Sequence, residues 1–426
     1  MSTALEARPT PATTKAERWA HLRRTSPGRL QMRLAALVVL GVLTGLLAGL
    51  AAAETKSGTG DLGERAQPLL VQAEAIYEGL ADADTTAAQA FLAGGLEPAA
   101  LTDRYNEKIA KATTALTEAA RLAPADSEAS KAIHEIANGV ARYTALVATA
   151  RADNRQGLPV GSSYLSAAST LNRETLLPQA QSLFTIAQQQ VQDGYRNAKS
   201  WWWVTFFALS LLALAGALLL TQRYLSRSTH RTFNVPLVAA TVVTVLLALG
   251  SLGLLRSQQF HLADAEDAGS TPIAQLAEAR ILALQERGDE ALTLALHGSS
   301  DEPEKRWVAA DPQLSAALGN EFLPDGTGAA YAAYRQAHQQ IRKLDAQDGN
   351  YDGAVALAVG TATTGKFEQV TDDIGTALEQ RKVKFTEEIE AAGTGLTALL
   401  ILGPLAALVI CGLAYAGIRT RLEEYR

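Results

Sequence analysis

Two short polar stretches interrupt otherwise apolar helical sequence, and their side chains are of the types that recognise other molecules through charge-assisted hydrogen bonds. The first stretch contains two carboxylates and two hydroxyls, on Asp82, Asp84, Thr85 and Thr86. The like positions in the second half of the chain carry Arg287, Asp289 and Glu290. The simpler interpretation of the first stretch is a solvated helix face. The functional hypothesis is that it forms contacts with a partner protein.

A second candidate interaction surface is basic. Its members are Arg223, Arg227 and Arg231 in one short segment, and Arg419 and Arg421 near the C-terminus. The simpler interpretation is that these arginines orient the chain in a membrane and contact lipid headgroups. The functional hypothesis is that one of the two groups docks an acidic patch of a cytoplasmic protein.

Catalytic and metal-binding signatures are absent from the sequence. None of the six histidines pairs with another His or with Cys at metal-ligand spacing. The single cysteine, Cys411, lies in an apolar run, so neither an intrachain disulfide nor a Cys-based metal site is expected. The sequence also has no nucleotide-binding glycine loop and no catalytic-triad signature. We therefore predict that the protein is not an enzyme and has no cofactor, metal or catalytic residue.

Four apolar runs are long enough to cross a membrane as helices, which takes about 20 residues. They predict spans at 34–53, 201–222, 236–256 and 394–418. The first run also resembles a signal peptide, because a basic flank precedes it and three alanines at 51–53 end it. Its length and the three further spans favour an uncleaved anchor. The interiors of the runs carry no ionisable residue, which argues against a transporter.

Basic residues predict the orientation of these spans. Residues 1–33 carry seven Lys/Arg against two Glu, the 223–235 loop carries three Arg and no acid, and 419–426 is net positive. Acidic residues outnumber basic ones in 54–200 and in 257–393. Because Lys and Arg favour the cytoplasmic side, we predict a multi-pass plasma-membrane protein with both termini and the loop in the cytoplasm. The 1–33 tail lacks an apolar period and is predicted to be disordered.

Each long segment outside the membrane has the apolar period and the breaks of four helices. The predicted breaks lie at 94–98, 124–127 and 156–161, and again at 298–303 and 349–351. The sequence therefore predicts an all-α, four-span membrane protein with two extracytoplasmic up-down four-helix bundles that arose by internal duplication. The fourth helix of each bundle is predicted to continue into the span that follows it.

Glycine spacing in the first span predicts a helix-packing seam. Gly41, Gly45 and Gly49 recur at every fourth residue and therefore share one helix face, where another backbone can approach closely. The partner in this seam is either another span of the same chain or a second copy of the protein, which would make a homodimer.

Three stretches of the sequence resemble a known family. They are 80–98 (LADADTTAAQAFLAGGLEP), 349–357 (GNYDGAVAL) and 421–426 (RLEEYR). They are similar to stretches of the GlnX-like family of actinobacterial four-span membrane proteins. The resemblance implies a relay in which an outer lipoprotein that binds aspartate, glutamate or glutamine (GlnH) docks on the chain, and a cytoplasmic Ser/Thr kinase (PknG) reads the result. The outer bundles also resemble the four-helix sensor domains of chemoreceptors.

These expectations define a non-enzymatic transducer of an extracytoplasmic amino-acid signal. Its expected partners are the solute-binding lipoprotein, at the polar stretch of the first bundle, the kinase, at one of the arginine groups, and the lipid bilayer. No nucleic acid is expected. Two alternatives remain open: a direct receptor that holds a small molecule in one bundle, and a structural membrane assembly protein.

Overall fold

A computed structural model of the protein describes residues 26–92, 97–199, 202–229, 234–295, 301–347 and 349–423. These residues form helices joined by short turns, and no strand occurs among them. Four helices in the described ranges are long and apolar enough to cross a membrane. The chain is thus an all-α, four-span membrane protein, as its sequence predicts.

The helices divide into two groups in chain order. Those that carry the apolar spans are α1 (Ser26–Asp61), α7 (Trp202–Thr229), α8 (Val235–Ala265) and α14 (Leu396–Glu423). The others are α2 (Gln67–Leu92), α3 (Ala99–Leu122), α4 (Glu128–Arg155), α5 (Val160–Leu171), α6 (Leu177–Ala198), α9 (Thr271–Ala295), α10 (Glu302–Ala317), α11 (Thr327–Arg342), α12 (Tyr351–Val359) and α13 (Thr361–Gly393).

Single wide turns of π-helix interrupt several of these helices. They are π1 (Leu62–Ala66), π2 (Asn172–Leu176), π3 (Glu266–Ser270) and π4 (Lys343–Gln347). A π turn inserts an extra residue and so changes the direction in which the following side chains point. The turns π1 and π3 lie in the first helix of each predicted bundle. The internal duplication stays a prediction.

The chain forms two compact units. The span unit comprises 1–57, 199–259 and 393–426, and the helical unit comprises 58–198 and 260–392. Both segments of the helical unit contribute to one hydrophobic core, in which Tyr77, Tyr143 and Tyr334 are fully buried. The sequence predicted a separate bundle for each segment, whereas the structure packs helices of both segments around this shared core.

Local sequence explains the helix ends in the first segment of the helical unit. Pro98 immediately precedes α3, where its missing N–H costs no helical hydrogen bond. The Ser127 hydroxyl caps α4 by accepting a hydrogen bond from the Ser130 N–H at 3.1 Å. Gly157 ends that helix in the left-handed region, at φ +70°. The four helical stretches of this segment follow the predicted positions.

Two features of the second segment differ from the sequence prediction. The break predicted at 349–351 is followed by a further short helix, α12, whose N-terminus is capped by the Asn350 side chain. The helix predicted to run into the last span is instead two helices, because a turn at Thr394 and Gly395 separates α13 from α14. Gly395 adopts φ +81°, a conformation that favours glycine. The corresponding junction before the second span includes residues 200–201, which lie outside the described ranges.

Within the span unit, the three seam glycines of α1 face α14. A Cβ atom on Gly45 would lie 2.8 Å from the Ala407 Cβ atom, and one on Gly49 would lie 3.7 Å from the Pro404 ring. A Cβ atom on Gly41 would meet the Cys411 sulfur. The close approach of these two helices thus depends on the absence of side chains at 41 and 45.

Replacing Gly45 with Val tests this packing, because the added atoms have no room beside Ala407. We expect G45V to lower the free energy of unfolding by about 1–3 kcal/mol, the usual cost of overpacking a well-packed interior. The matched control is G253V in α8, where nothing lies within 4 Å of the position of the new Cβ atom. Thermal unfolding of the full chain in detergent measures both variants, and equal unfolding temperatures for the two would contradict the close contact.

Candidate functional site

A cavity of about 850 Å³ lies within the helical unit. Its walls are α2, the stretch from α5 through π2 to α6, α9 and α10, so both segments of the unit contribute to it. This volume is within the range of roughly 300–1,000 Å³ that is usual for small-molecule sites. The helical unit therefore contains a candidate binding site.

Helical spacing explains two of the cavity walls. On α2, Tyr77, Ala81 and Asp84 follow one another at intervals of four and three residues, and therefore share one helix face. On α9, Gln285 and Asp289 follow the same rule, and the Gln285 amide donates a hydrogen bond to the Tyr77 hydroxyl at 2.7 Å. The two segments are thus joined by a polar contact at the cavity wall.

Arg173 is the central side chain of the site. Its Nε donates to Asp84 Oδ2 at 3.1 Å, its Nη1 to Asp289 Oδ1 at 2.8 Å, and its Nη2 to the Gly288 carbonyl at 2.7 Å. One guanidinium therefore holds two carboxylates and a carbonyl that come from different halves of the chain.

The turn π2 positions this arginine. Arg173 is the second residue of the wide turn Asn172–Leu176, and the fully buried Asn172 amide anchors that turn by donating to the Leu80 carbonyl of α2 at 3.1 Å. Gly288 leaves the room that the guanidinium needs, because a Cβ atom there would lie 2.8 Å from Arg173 Nη2. The backbone of π2 thus positions Arg173 from its own helix, and the missing side chain at Gly288 makes room for its guanidinium on α9.

Each carboxylate of this cluster has further donors. The Ser169 hydroxyl donates to Asp84 Oδ1 at 2.8 Å, and Arg306 donates twice to Asp289 Oδ1, at 3.1 and 2.8 Å. Asp84 is 3% exposed and Asp289 4% exposed, so both charges are removed from water. Burial raises the pKa of Asp289 even though Arg306 and Arg173 act to lower it. The charge of Asp289 is therefore only partly compensated within the protein.

The structure buries the polar stretch that the sequence identified. Asp82, Asp84, Thr85 and Thr86 are each at most 7% exposed, so the solvated-face interpretation is wrong. The reason is that α2 packs against α3, α6 and α9, which leaves it no open face. Asp82 instead pairs with Lys108 at 2.7 Å, and the two threonine hydroxyls bond back to their own helix. A role of these four residues in contacting a partner protein stays a prediction.

The second-half residues at the like positions are buried as well. Arg287 pairs with Glu290 and donates to the Ala358 carbonyl at 3.1 Å, while Asp289 reaches the cavity. The structure therefore brings together Asp84 and Asp289, one from each half, through Arg173. It does not bring Asp82 or Arg287 into this cavity.

The basic candidates lie in the span unit. Arg223 and Arg227 are exposed residues near the end of α7, and Arg419, near the end of α14, lies over the Tyr415 ring. Arg421 belongs to α14, and Arg231 lies outside the described residues. Their role as contacts for a cytoplasmic partner stays a prediction. Among the described residues, no cluster of His, Cys, Asp and Glu has the arrangement of a metal site.

Sequence reasoning missed Arg173 and Arg306. A signal for the first was present, because Arg173 and Glu174 are the only charged residues between Arg155 and Asp193. An isolated charge pair in a long uncharged helix indicates a specific partner. No comparable signal marks Arg306, which lies in a segment with several other charges.

A second buried polar cluster lies beside this site, around Tyr331. The Tyr331 hydroxyl lies 2.8 Å from Glu286 Oε1 and 2.8 Å from Asp311 Oδ1. A hydroxyl has only one proton to donate, so the second carboxyl satisfies this geometry by keeping its own proton. Burial raises the pKa of Glu286 to about 8. Glu286 is therefore the group that holds the proton near neutral pH.

His338 is a buried histidine in the same region. Its ring stacks on Trp307, and its Nδ1 lies 3.0 Å from Glu290 while its Nε2 lies 3.5 Å from Glu304. Burial acts to lower its pKa, but the two carboxylates outweigh burial and raise the pKa to about 9. His338 is therefore a cation at neutral pH.

Part of the helical unit is similar to a known protein family. Residues 58–196 match a family model described as an actinobacterial sensor domain. No curated protein and no solved structure matches the chain. The matched range covers all but the last two residues of the first segment of the helical unit, and it includes Tyr77, Asp84 and Arg173. Together with the four candidate spans, the match supports an actinobacterial membrane sensor or signal transducer.

Removing Arg173 should leave two buried carboxylates without their shared partner. We expect R173M to lower the free energy of unfolding by about 3–5 kcal/mol, the usual cost of breaking a buried ion pair from one side. The measurement is denaturant unfolding of the full chain in detergent.

The control for this variant is R121M. Arg121 is a 74% exposed arginine that pairs with Glu118, and its loss should cost about 1 kcal/mol or less. Adding D84N and D289N to R173M should restore part of the lost stability. Similar losses in R173M and R121M would show that the Arg173 cluster is not a structural centre.

The protonation of Glu286 and His338 predicts how stability depends on pH. Both groups have pKa values in the folded protein, about 8 and about 9, above their ordinary values of 4.5 and 6.5. The folded state therefore binds more protons than the unfolded state, and stability is lost as pH rises through these values. Each extra proton contributes a slope of about 1.4 kcal/mol per pH unit.

We therefore expect the free energy of unfolding to fall between pH 6 and pH 9, and E286Q to reduce that slope. The charged neighbours of Glu286 are Asp311, His338 and Arg335, and all three remain in this variant. The exposed Glu107→Gln is the control. Unfolding of the full chain at a series of pH values measures the slope, and the same slope in E286Q and the native chain would contradict the assignment.

Proposed function

We propose that this protein is a transmembrane signal transducer whose helical unit lies outside the cytoplasm and binds a small solute in the cavity. A separate cytoplasmic protein reads the result. The observation that carries this proposal is the cavity of about 850 Å³, whose walls come from both halves of the chain and meet at Arg173. The match of 58–196 to a sensor domain supports it independently.

The cavity offers a physical route from binding to signalling. A solute that contacts Asp84 or Asp289 competes with Arg173 and Arg306 for the same carboxylates. Because these side chains join elements of both halves, a change in their pairing changes how α2, α9 and α10 pack. Solute binding would then favour one arrangement of the helical unit over another.

The output partner in this proposal is a cytoplasmic Ser/Thr kinase, as the GlnX-like resemblance implies. Its docking site would be the arginines at 223 and 227 or those at 419 and 421. These residues place a basic group at the ends of the second and fourth spans, where an acidic surface can bind.

The second candidate is a relay in which the chain receives amino-acid status from a solute-binding lipoprotein instead of binding the solute itself. The resemblance at 80–98 supports this input. Most of that stretch is the C-terminal half of α2, and the buried Asp82 and Asp84 belong to it. The surface that would receive the lipoprotein is then the surroundings of this stretch and not its carboxylates.

Direct binding is tested with the full chain in lipid nanodiscs and a panel of free amino acids and amines. A ligand of the folded state raises its stability by about 2.7 kcal/mol at a hundredfold excess over its Kd. We expect at least one solute to raise the unfolding temperature. Substituting Ala309, which lines the cavity on α10, with Trp should abolish the effect by filling the space.

The matched control is A316W, since Ala316 is an exposed residue of the same helix that does not line the cavity. Stabilisation that survives A309W would place the ligand elsewhere. A response only in the presence of the loaded lipoprotein would favour the relay. No response to any solute, with or without the lipoprotein, would contradict both direct binding and the relay. The remaining alternative would then be a structural membrane assembly protein.

A further inference from the structure

The charges that line the cavity are predominantly negative. Four carboxylates contribute to its walls, on Asp84, Glu174, Asp289 and Glu302. Only two cations do so, Arg173 and Arg306. Among the described residues of the walls, carboxylates therefore outnumber cations by two, and one of them, Glu302, pairs with Lys305 at 2.7 Å. A partly enclosed, low-dielectric space concentrates the field of the remaining negative excess.

Contacts within the protein already engage both arginines. Arg173 uses its Nε, Nη1 and Nη2 atoms on Asp84, Asp289 and the Gly288 carbonyl. Arg306 uses Nε and Nη2 on Asp289. An anionic ligand would have to displace both carboxylates to reach Arg173, and it would leave them buried without a partner, which is costly. Arg306 has a 51% exposed side chain and already donates twice to Asp289.

Hydrogen-bond acceptors, by contrast, remain available to a ligand. Both arginines bind Asp289 through Oδ1, and within the described ranges no hydrogen bond reaches its Oδ2. Among the same residues, the buried Gln181 Oε1 also has no donor. Glu174 lies exposed at the cavity wall next to Arg173. These oxygens favour a ligand that donates hydrogen bonds.

The remaining walls suit an aliphatic chain. Leu177 and Pro178 on α6, Leu282 and Leu292 on α9, and Ala309 and Ala310 on α10 line the same space. Apolar side chains at this position contribute to affinity by removing methylene groups of a ligand from water. The cavity thus combines an acidic, acceptor-rich part with an apolar part.

We propose that the cavity selects a small aliphatic diamine, one of whose ammonium groups lies between Asp289 and Glu174 while its hydrocarbon chain packs on the leucines. This assignment rests on the proposed function, in that the cavity is taken as the sensing site. Ammonium groups donate three hydrogen bonds, which matches the acceptors that the protein leaves without donors. Burial also raises the pKa of Asp289, so an additional cation beside it relieves an uncompensated charge.

The test uses putrescine, with glutamate as the anionic probe and KCl at equal ionic strength as the salt control. Binding to the full chain in nanodiscs of zwitterionic lipid is measured by calorimetry. We expect saturable binding of putrescine and none of glutamate. E174K should weaken putrescine binding at least about tenfold, and E174Q should weaken it less, because reversing a charge at the site costs more than removing it.

The matched controls are E107K and E107Q, at an exposed glutamate of α3 that does not line the cavity. These variants should bind putrescine like the native chain. All of these positions are exposed, so loss of the fold does not explain a loss of binding. A putrescine affinity that E174K leaves unchanged would overturn the assignment.

The outcomes also separate this assignment from the proposed function. One outcome is that glutamate binds, that A309W abolishes this binding, and that putrescine does not bind. This outcome would overturn the amine assignment and retain the cavity as a sensing site. Absence of binding by both probes would also overturn the amine assignment. The solute panel with A309W then decides separately whether the cavity senses any other solute.

Discussion

The helical unit depends on one buried electrostatic constraint: Arg173 must stay between Asp84 and Asp289. In the chain, Arg173 lies 89 positions after Asp84 and 116 positions before Asp289. Both carboxylates are nearly inaccessible to water. A buried carboxylate without a partner is strongly unfavourable, so α2, α9 and the turn π2 can pack closely only in the arrangement that satisfies both. The asparagine that anchors π2, the glycine at 288 and the second arginine at 306 all support that arrangement. The two halves of the chain therefore share a core and do not form separate bundles.

The same constraint leaves space and charge for function. Since the arginines are already engaged, the cavity beside them retains an excess of carboxylate and a set of acceptors without donors. A ligand that donates hydrogen bonds to these acceptors would favour the arrangement of the helical unit in which they are accessible. The neighbouring Glu286, Tyr331 and His338 cluster adds further buried polar groups on α9 and α11. The helical unit thus keeps these polar groups inside, where their mutual arrangement determines its packing.

Much of the fold follows from the sequence, because each part has a strong local cause. The four spans follow from apolar length, and the helices of the first segment follow from their period and from breakers such as Pro98 and Gly157. What could not be predicted depends on contacts between distant residues. Asp82 and Asp84 resemble a solvated face in sequence, and only the packing of α3, α6 and α9 around α2 shows that they are buried. Arg173 stands out in the sequence as an isolated charge, but its partners are distant in the chain, and Asp289 lies in the other half. The left-handed Gly395 and the short helix α12 depend on local turns that helical periodicity does not reveal.

Hydrogen–deuterium exchange of the full chain in nanodiscs, with and without saturating putrescine, tests whether a solute enters the cavity around Arg173. We expect slower amide exchange in peptides that cover 166–181, 282–292 and 302–313, which include the residues that line the cavity. Exchange in the part of α4 from 128 to 139, which contributes no residue to the cavity wall, should not change. Unchanged exchange in all three cavity segments, or protection confined to α4, would contradict the claim.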